Sequence, residues 1–83
     1  MGRERRNRIR LSVAAYAYEI ANQPIMSDES YDQLSSSINP KRSTGNGRID
    51  GFFRSQFDPF TGMWIHDHPD LEGVKRTYEQ HYT

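Results

Sequence analysis

The chain of 83 residues contains no cysteine. That excludes disulfide staples, cysteine-ligated zinc and thiol catalysis, and makes an intracellular setting the expectation. No apolar run is long enough to cross a membrane. The opening Met-Gly-Arg-Glu-Arg-Arg leads into no apolar signal-peptide core, and Arg6 stands where a myristoylation motif needs Ser or Thr. Apolar residues make up only 34% of the chain, so its core must be small. At this length a single core is only just sufficient. The serines at 35 to 37 lack the Gly-x-Ser-x-Gly setting of an activated nucleophile. These absences predict one domain over residues 1–83 that is soluble, cytoplasmic and free of any membrane association, and they give no support to nucleophilic catalysis.

Aromatic residues partly compensate for the thin apolar content. Five Tyr, four Phe and one Trp are present, and each large ring buries more area than an aliphatic side chain. Formal charge is zero but unevenly spread. Residues 1–10 hold Arg3, Arg5, Arg6, Arg8 and Arg10 against Glu4 alone, which is +4 and leaves −4 for the rest. A basic start of this kind suits nucleic acid phosphates or an acidic partner. With no globally basic composition, a solvated first turn or a basic tail is the better reading, and a nucleic acid partner is not supported.

The pattern predicts an all-α fold of about four short helices. Ile9, Val13, Tyr16/Ala17 and Ile20 recur at helical spacing, widened by Leu11 and Ala14, over about Arg5 to Ala21. Asn22-Gln23-Pro24 ends that segment. Ser27 or Asp28 is a good N-cap for a second helix, with Tyr31, Leu34 and Ile38 as a thin stripe and Asn39-Pro40 as its stop. The two would form a helical hairpin over 5–38. Residues 41–48 read as a flexible loop. In an aromatic-rich second half, 49–82, a short helix is expected over Ile49–Phe57, weakened by Gly51 by about 1 kcal/mol relative to Ala. Asp58-Pro59-Phe60-Thr61-Gly62 reads as a turn, and a last helix begins near Pro69, taken as its first helical residue. Phe60, Met63 and Trp64 are candidate interface residues, because so small a domain cannot bury every ring of its aromatic cluster.

Residues 16–32 are the stretch that reads as a site. A bend between two helices can bring Tyr16 or Tyr18 near Tyr31, with Asp28 and Asp32 beside them. Two aromatic faces bordered by carboxylates suit a flat, electron-poor or cationic ring. A helical hairpin needs the same residue types without any ligand, so scaffold and binding site both remain open readings.

The run Tyr16-Ala17-Tyr18-Glu19-Ile20, Asn22-Gln23-Pro24-Ile25-Met26 and Ser27-Asp28-Glu29-Ser30-Tyr31-Asp32 resembles the N-terminal Ia subdomain of bacterial NAD-dependent DNA ligases. The spacing matches without a gap across these residues. That subdomain is a helical unit that clamps the nicotinamide mononucleotide half of NAD. The resemblance implies that Tyr18 and Tyr31 sandwich a nicotinamide ring and that Asp28 and Asp32 contact its amide and ribose, with NMN or NAD as ligand. Glu19 stands where the family commonly has His or Tyr, and a carboxylate repels a phosphate. The resemblance covers about a third of the chain. The Lys-x-Asp-Gly adenylation motif is missing after both Lys41 and Lys75, so the chain is not expected to seal nicks. In style it is similar to the small accessory proteins of bacteriophages. Two functions follow as expectations: a non-catalytic nicotinamide-nucleotide-binding module or ligase accessory, and a protein-interaction factor that docks a bacterial protein. His66-Asp67-His68, near Asp70 and His81, has two alternate imidazoles but no third ligand at diagnostic spacing, so no metal is assigned.

Overall fold

Residues 3–19 contain neither glycine nor proline, and in the computed structural model, which describes residues 2–82, they form one helix, α1 (Arg3–Glu19). Helices α2 (Asp28–Ser37), α3 (Gly47–Gln56) and α4 (Leu71–Tyr82) follow, with a 3-10 turn at Met63–Asp67 between the last two. No strand is present among the described residues, and the fold is all-α.

α1 runs through the middle of the molecule. Leu11 to Ala17 are buried consecutively, so the helix is enclosed on every side rather than along one stripe. Ala14, Ala15 and Ala17 keep its surface narrow, and α2, α4 and the 3-10 turn pack around it. The two ends of the expected stripe, Ile9 and Ile20, are the exception. Both are more than a third exposed.

Caps set the other boundaries. Ser27 accepts the Ser30 N–H at 3.1 Å and starts α2 where the sequence placed it. α1 ends with Asn22 at φ 56°, and the Gln23 N–H reaches back to the Ala17 carbonyl at 2.8 Å. A left-handed Asn that reverses the chain direction ends the helix here. α3 begins two residues earlier than expected, since Asn46 caps it by accepting the Ile49 N–H at 3.2 Å. α4 begins at Leu71 rather than at Pro69. Asp70 fills the cap position and accepts the Gly73 N–H at 3.2 Å. A Cβ on Gly73 would meet the Asp70 carboxylate in this rotamer, so a larger residue there would make the capping side chain shift.

The second half closes over α1 through rings. Trp64 packs against Phe53 at 5.6 Å and Phe57 at 5.2 Å between centroids, and Tyr16 meets Tyr78 at 5.4 Å. Trp64 is only 4% exposed and is core, not an interface residue, because the 3-10 turn points it inward onto α3. Phe60 and Met63, by contrast, are exposed.

The basic first turns are also not a tail. Arg8 is buried, and its guanidinium donates to Glu4 at 2.8 Å, Asp50 at 2.9 Å and the carbonyls of Asn39 and Arg42 at 2.8 and 2.9 Å. It also lies 4.8 Å above the Phe53 ring. Thr44, through its hydroxyl and its N–H, and then Arg8 hold the Asp50 carboxyl down at about 2. The 41–48 segment is thereby fastened rather than free.

Replacing Arg8 with Ala leaves two buried carboxylates without their cation, a change that costs about 3–5 kcal/mol. That is most of the stability of a domain this small. Urea denaturation followed by circular dichroism is expected to show Arg8→Ala largely unfolded at 25 °C, with Arg8→Lys intermediate because an ammonium cannot reproduce the fork. The lowered Asp50 pKa has a defined sign: its stabilisation is complete above the unfolded carboxyl value near pH 4 and is lost as pH falls towards 2. A fall in wild-type stability across that window, flattened in an Asp50→Asn variant that starts out less stable, checks it.

Candidate functional site

Tyr18 lies on the last turn of α1, and Asp28, Tyr31 and Asp32 lie on the first turns of α2. All four line one open cleft of about 340 Å³. Volumes of this order hold small ligands. Asp28 and Asp32 are exposed, Tyr18 is 55% exposed and Tyr31 is half-buried. The two tyrosines are not among the ring pairs in contact, whereas Tyr16, two residues before Tyr18, is buried against Tyr78 and takes no part. The structure therefore brings together the four residues singled out in the hairpin and assigns Tyr16 to the core.

The rest of the lining comes from segments whose role the sequence did not reveal. The turn over residues 58–62 folds back onto the hairpin and supplies Phe60, Thr61 and Gly62. Two α2 side chains hold it there: the Ser35 hydroxyl donates to the Pro59 carbonyl at 3.0 Å, and the Tyr31 hydroxyl to the Thr61 carbonyl at 3.4 Å. Phe60, 94% exposed, stands in the cleft wall rather than in a separate patch. Gly62 leaves room for Glu19 and Tyr31, since a Cβ there would lie 3.2 Å from a Glu19 oxygen and 3.4 Å from the Tyr31 hydroxyl. The only sequence signal for this turn was Pro-x-x-Gly, which marks a bend but not what it bends onto.

The cleft is electrostatically one-sided. Glu19, Asp28 and Asp32 line it, and no Lys or Arg does. Burial, and after it the charges of Glu19, Asp32 and Asp58, pushes the Tyr31 hydroxyl up to about 12. An arrangement of two phenol rings, an exposed phenyl ring and three carboxylates can attract a flat cation and repel an anion.

Among the described residues no three His, Asp or Glu side chains gather in a group that could hold a metal ion. No described helix is long and apolar enough to cross a membrane.

No family model matches the chain, and no curated protein or solved structure matches it either. The ligase resemblance rests on the hairpin residues themselves.

The raised Tyr31 pKa predicts a loss of stability at high pH. The folded state favours the neutral phenol, so the contribution is complete below pH 10 and disappears as pH rises towards 12. Tyrosinate absorbance at 295 nm is expected to show one ionisation delayed to near pH 12 in the wild type and missing from Tyr31→Phe.

Proposed function

We propose that the cleft between α1 and α2 binds a flat cationic ring, the nicotinamide end of NMN or NAD, as a non-catalytic binding module of the kind found in NAD-dependent DNA ligases. The observation that supports this is the convergence of Tyr18, Tyr31, Asp28 and Asp32 on one open cleft. A pyridinium ring gains about 0.5–2 kcal/mol from each aromatic face it meets. Two faces and nearby carboxylates sum to a few kcal/mol, and a Kd of 1 mM corresponds to about −4 kcal/mol. Binding in the millimolar range follows.

The charge of the lining refines the ligand. Glu19 and the two aspartates favour the ring and oppose a phosphate drawn in behind it. The ribose phosphate of NMN must then point to solvent. Nicotinamide riboside is therefore expected to bind at least as tightly as NMN.

Amide chemical shifts recorded during titration with nicotinamide riboside and NMN test this. Shifts centred on Tyr18 and Asp32, weakened about three- to tenfold by Tyr18→Ala, are expected. Silence at those residues at 10 mM ligand would sink the reading.

A second reading has its own observation: Phe60 is 94% exposed and Met63 is 56% exposed. We propose as the alternative that this aromatic rim docks a bacterial protein, with the hairpin as scaffold. A partner captured from bacterial lysate by the wild type and lost with Phe60→Ser, with ring ligands having no effect, favours docking over small-molecule binding.

A further inference from the structure

A second cleft, of about 490 Å³ and so larger than the tyrosine cleft, opens on the other end of α1, between α1, the start of α3 and α4. Its polar wall carries Arg5 from α1, Arg48 from α3 and Arg76 from α4, three exposed arginines far apart in sequence. Arg48 donates to the Pro69 carbonyl, which steadies it at the mouth. Arg5 and Arg76 have no hydrogen-bond or ion-pair partner among the described residues. Arg8 also borders the cleft, but Glu4, Asp50 and two carbonyls use its donors.

Little opposes this charge. Asp70 is the one carboxylate in the lining, and its Oδ1 already caps α4 through the Gly73 N–H. His68 lies between α3 and α4, where burial lowers its pKa and its Nδ1 accepts the Asp70 N–H at 3.0 Å. It therefore stands in the wall as a neutral imidazole. The first turn of α3 borders the cleft through Asn46 and Arg48, and its leading N–H groups have no intrahelical acceptor. The apolar part of the lining is Ile9, Val13, Ile49, Phe53 and Val74. Ile9 is 40% exposed on the face of a helix whose centre is fully enclosed, which the packing of the core does not require.

We propose that this second cleft binds a small phosphomonoester with an apolar or aromatic body. Arg5, Arg48 and Arg76 receive the phosphate, and Ile9 with its aliphatic neighbours receives the body. Guanidinium groups match a phosphate in a forked, charge-assisted geometry that a single lysine does not supply. The volume falls within the range of small-molecule sites. A concave pocket with an aliphatic wall favours a compact ligand over a nucleic acid backbone, which an extended basic ridge would track.

This site is separate from the tyrosine cleft, and phenyl phosphate separates the two experimentally because it carries no cationic ring. The chain is titrated with phenyl phosphate, inorganic phosphate and a hexathymidylate, with the His68 ring and the Thr77 amide as reporters. Phenyl phosphate is expected to shift both reporters, bind at least fivefold more tightly than inorganic phosphate and leave Tyr18 and Asp32 undisturbed. Arg76→Gln should weaken it at least fivefold. Arg5 and Arg76 are exposed and hold no structural bond, so circular dichroism of the variants should match the wild type. Ile9→Ser should remove the advantage of phenyl phosphate while leaving inorganic phosphate unchanged. The proposal is overturned if millimolar phenyl phosphate moves neither reporter, if Arg76→Gln leaves its affinity intact, or if hexathymidylate binds and phenyl phosphate does not.

Discussion

The guanidinium of Arg8 is the constraint on which the arrangement depends. It ties α1 to α3 through Asp50 and to the 39–42 segment through two carbonyls, while Glu4 binds the Asn39 N–H from the other side. Asp50 in turn holds Thr44 and Ser43. One buried cation thus fixes where the chain leaves α2, how it crosses to α3 and how α3 meets α1. With apolar content so low, loop closure cannot rest on hydrophobic burial alone. Buried ion pairs are worth little net stability against a well-packed apolar replacement, but removing one member is severe. Arg8 is better understood as setting position than as adding stability.

From that placement the two clefts follow. α1 is their shared wall: residues up to Val13 face one, and Ala14, Tyr18 and Glu19 face the other. The sequence carries +4 in its first ten residues, and the fold turns that linear asymmetry into a spatial one. Basic side chains from α3 and α4 join the N-terminal end of α1, while acidic ones from α2 join its C-terminal end. A net charge of zero conceals two poles of opposite sign along one helix, each beside a cavity. The same backbone thereby offers opposite electrostatics to two kinds of ligand.

The hairpin was legible because its signals are local. Helical periodicity, Asn22-Gln23-Pro24 and the Ser27 cap all act within a few residues, and α1 and α2 formed close to where they point. The four residues of the tyrosine cleft were legible for the same reason. What the sequence concealed depends on long separations. Arg8 resembles its four arginine neighbours, although it shares a helix face with Leu11, Ser12 and Ala15, all of them buried. Its partner Asp50 is 42 residues away, and no local pattern announces the pair. The Asn46 cap lay inside Gly-Asn-Gly, where composition suggests only a loop. Trp64 had the composition of an interface residue, yet the 3-10 turn directs it inward.

The tyrosine cleft is tied to the core through Tyr31, which packs against the buried cluster. Its hydroxyl donates to the Thr61 carbonyl of the turn that forms the cleft wall. Tyr31 is thus the link between aromatic core and cleft, and its ring cannot move without disturbing the turn. Tyr18, across the cleft, has no ring partner and is half exposed. One aromatic face is thus held by the core and the turn, while the other stands open to solvent across the cleft.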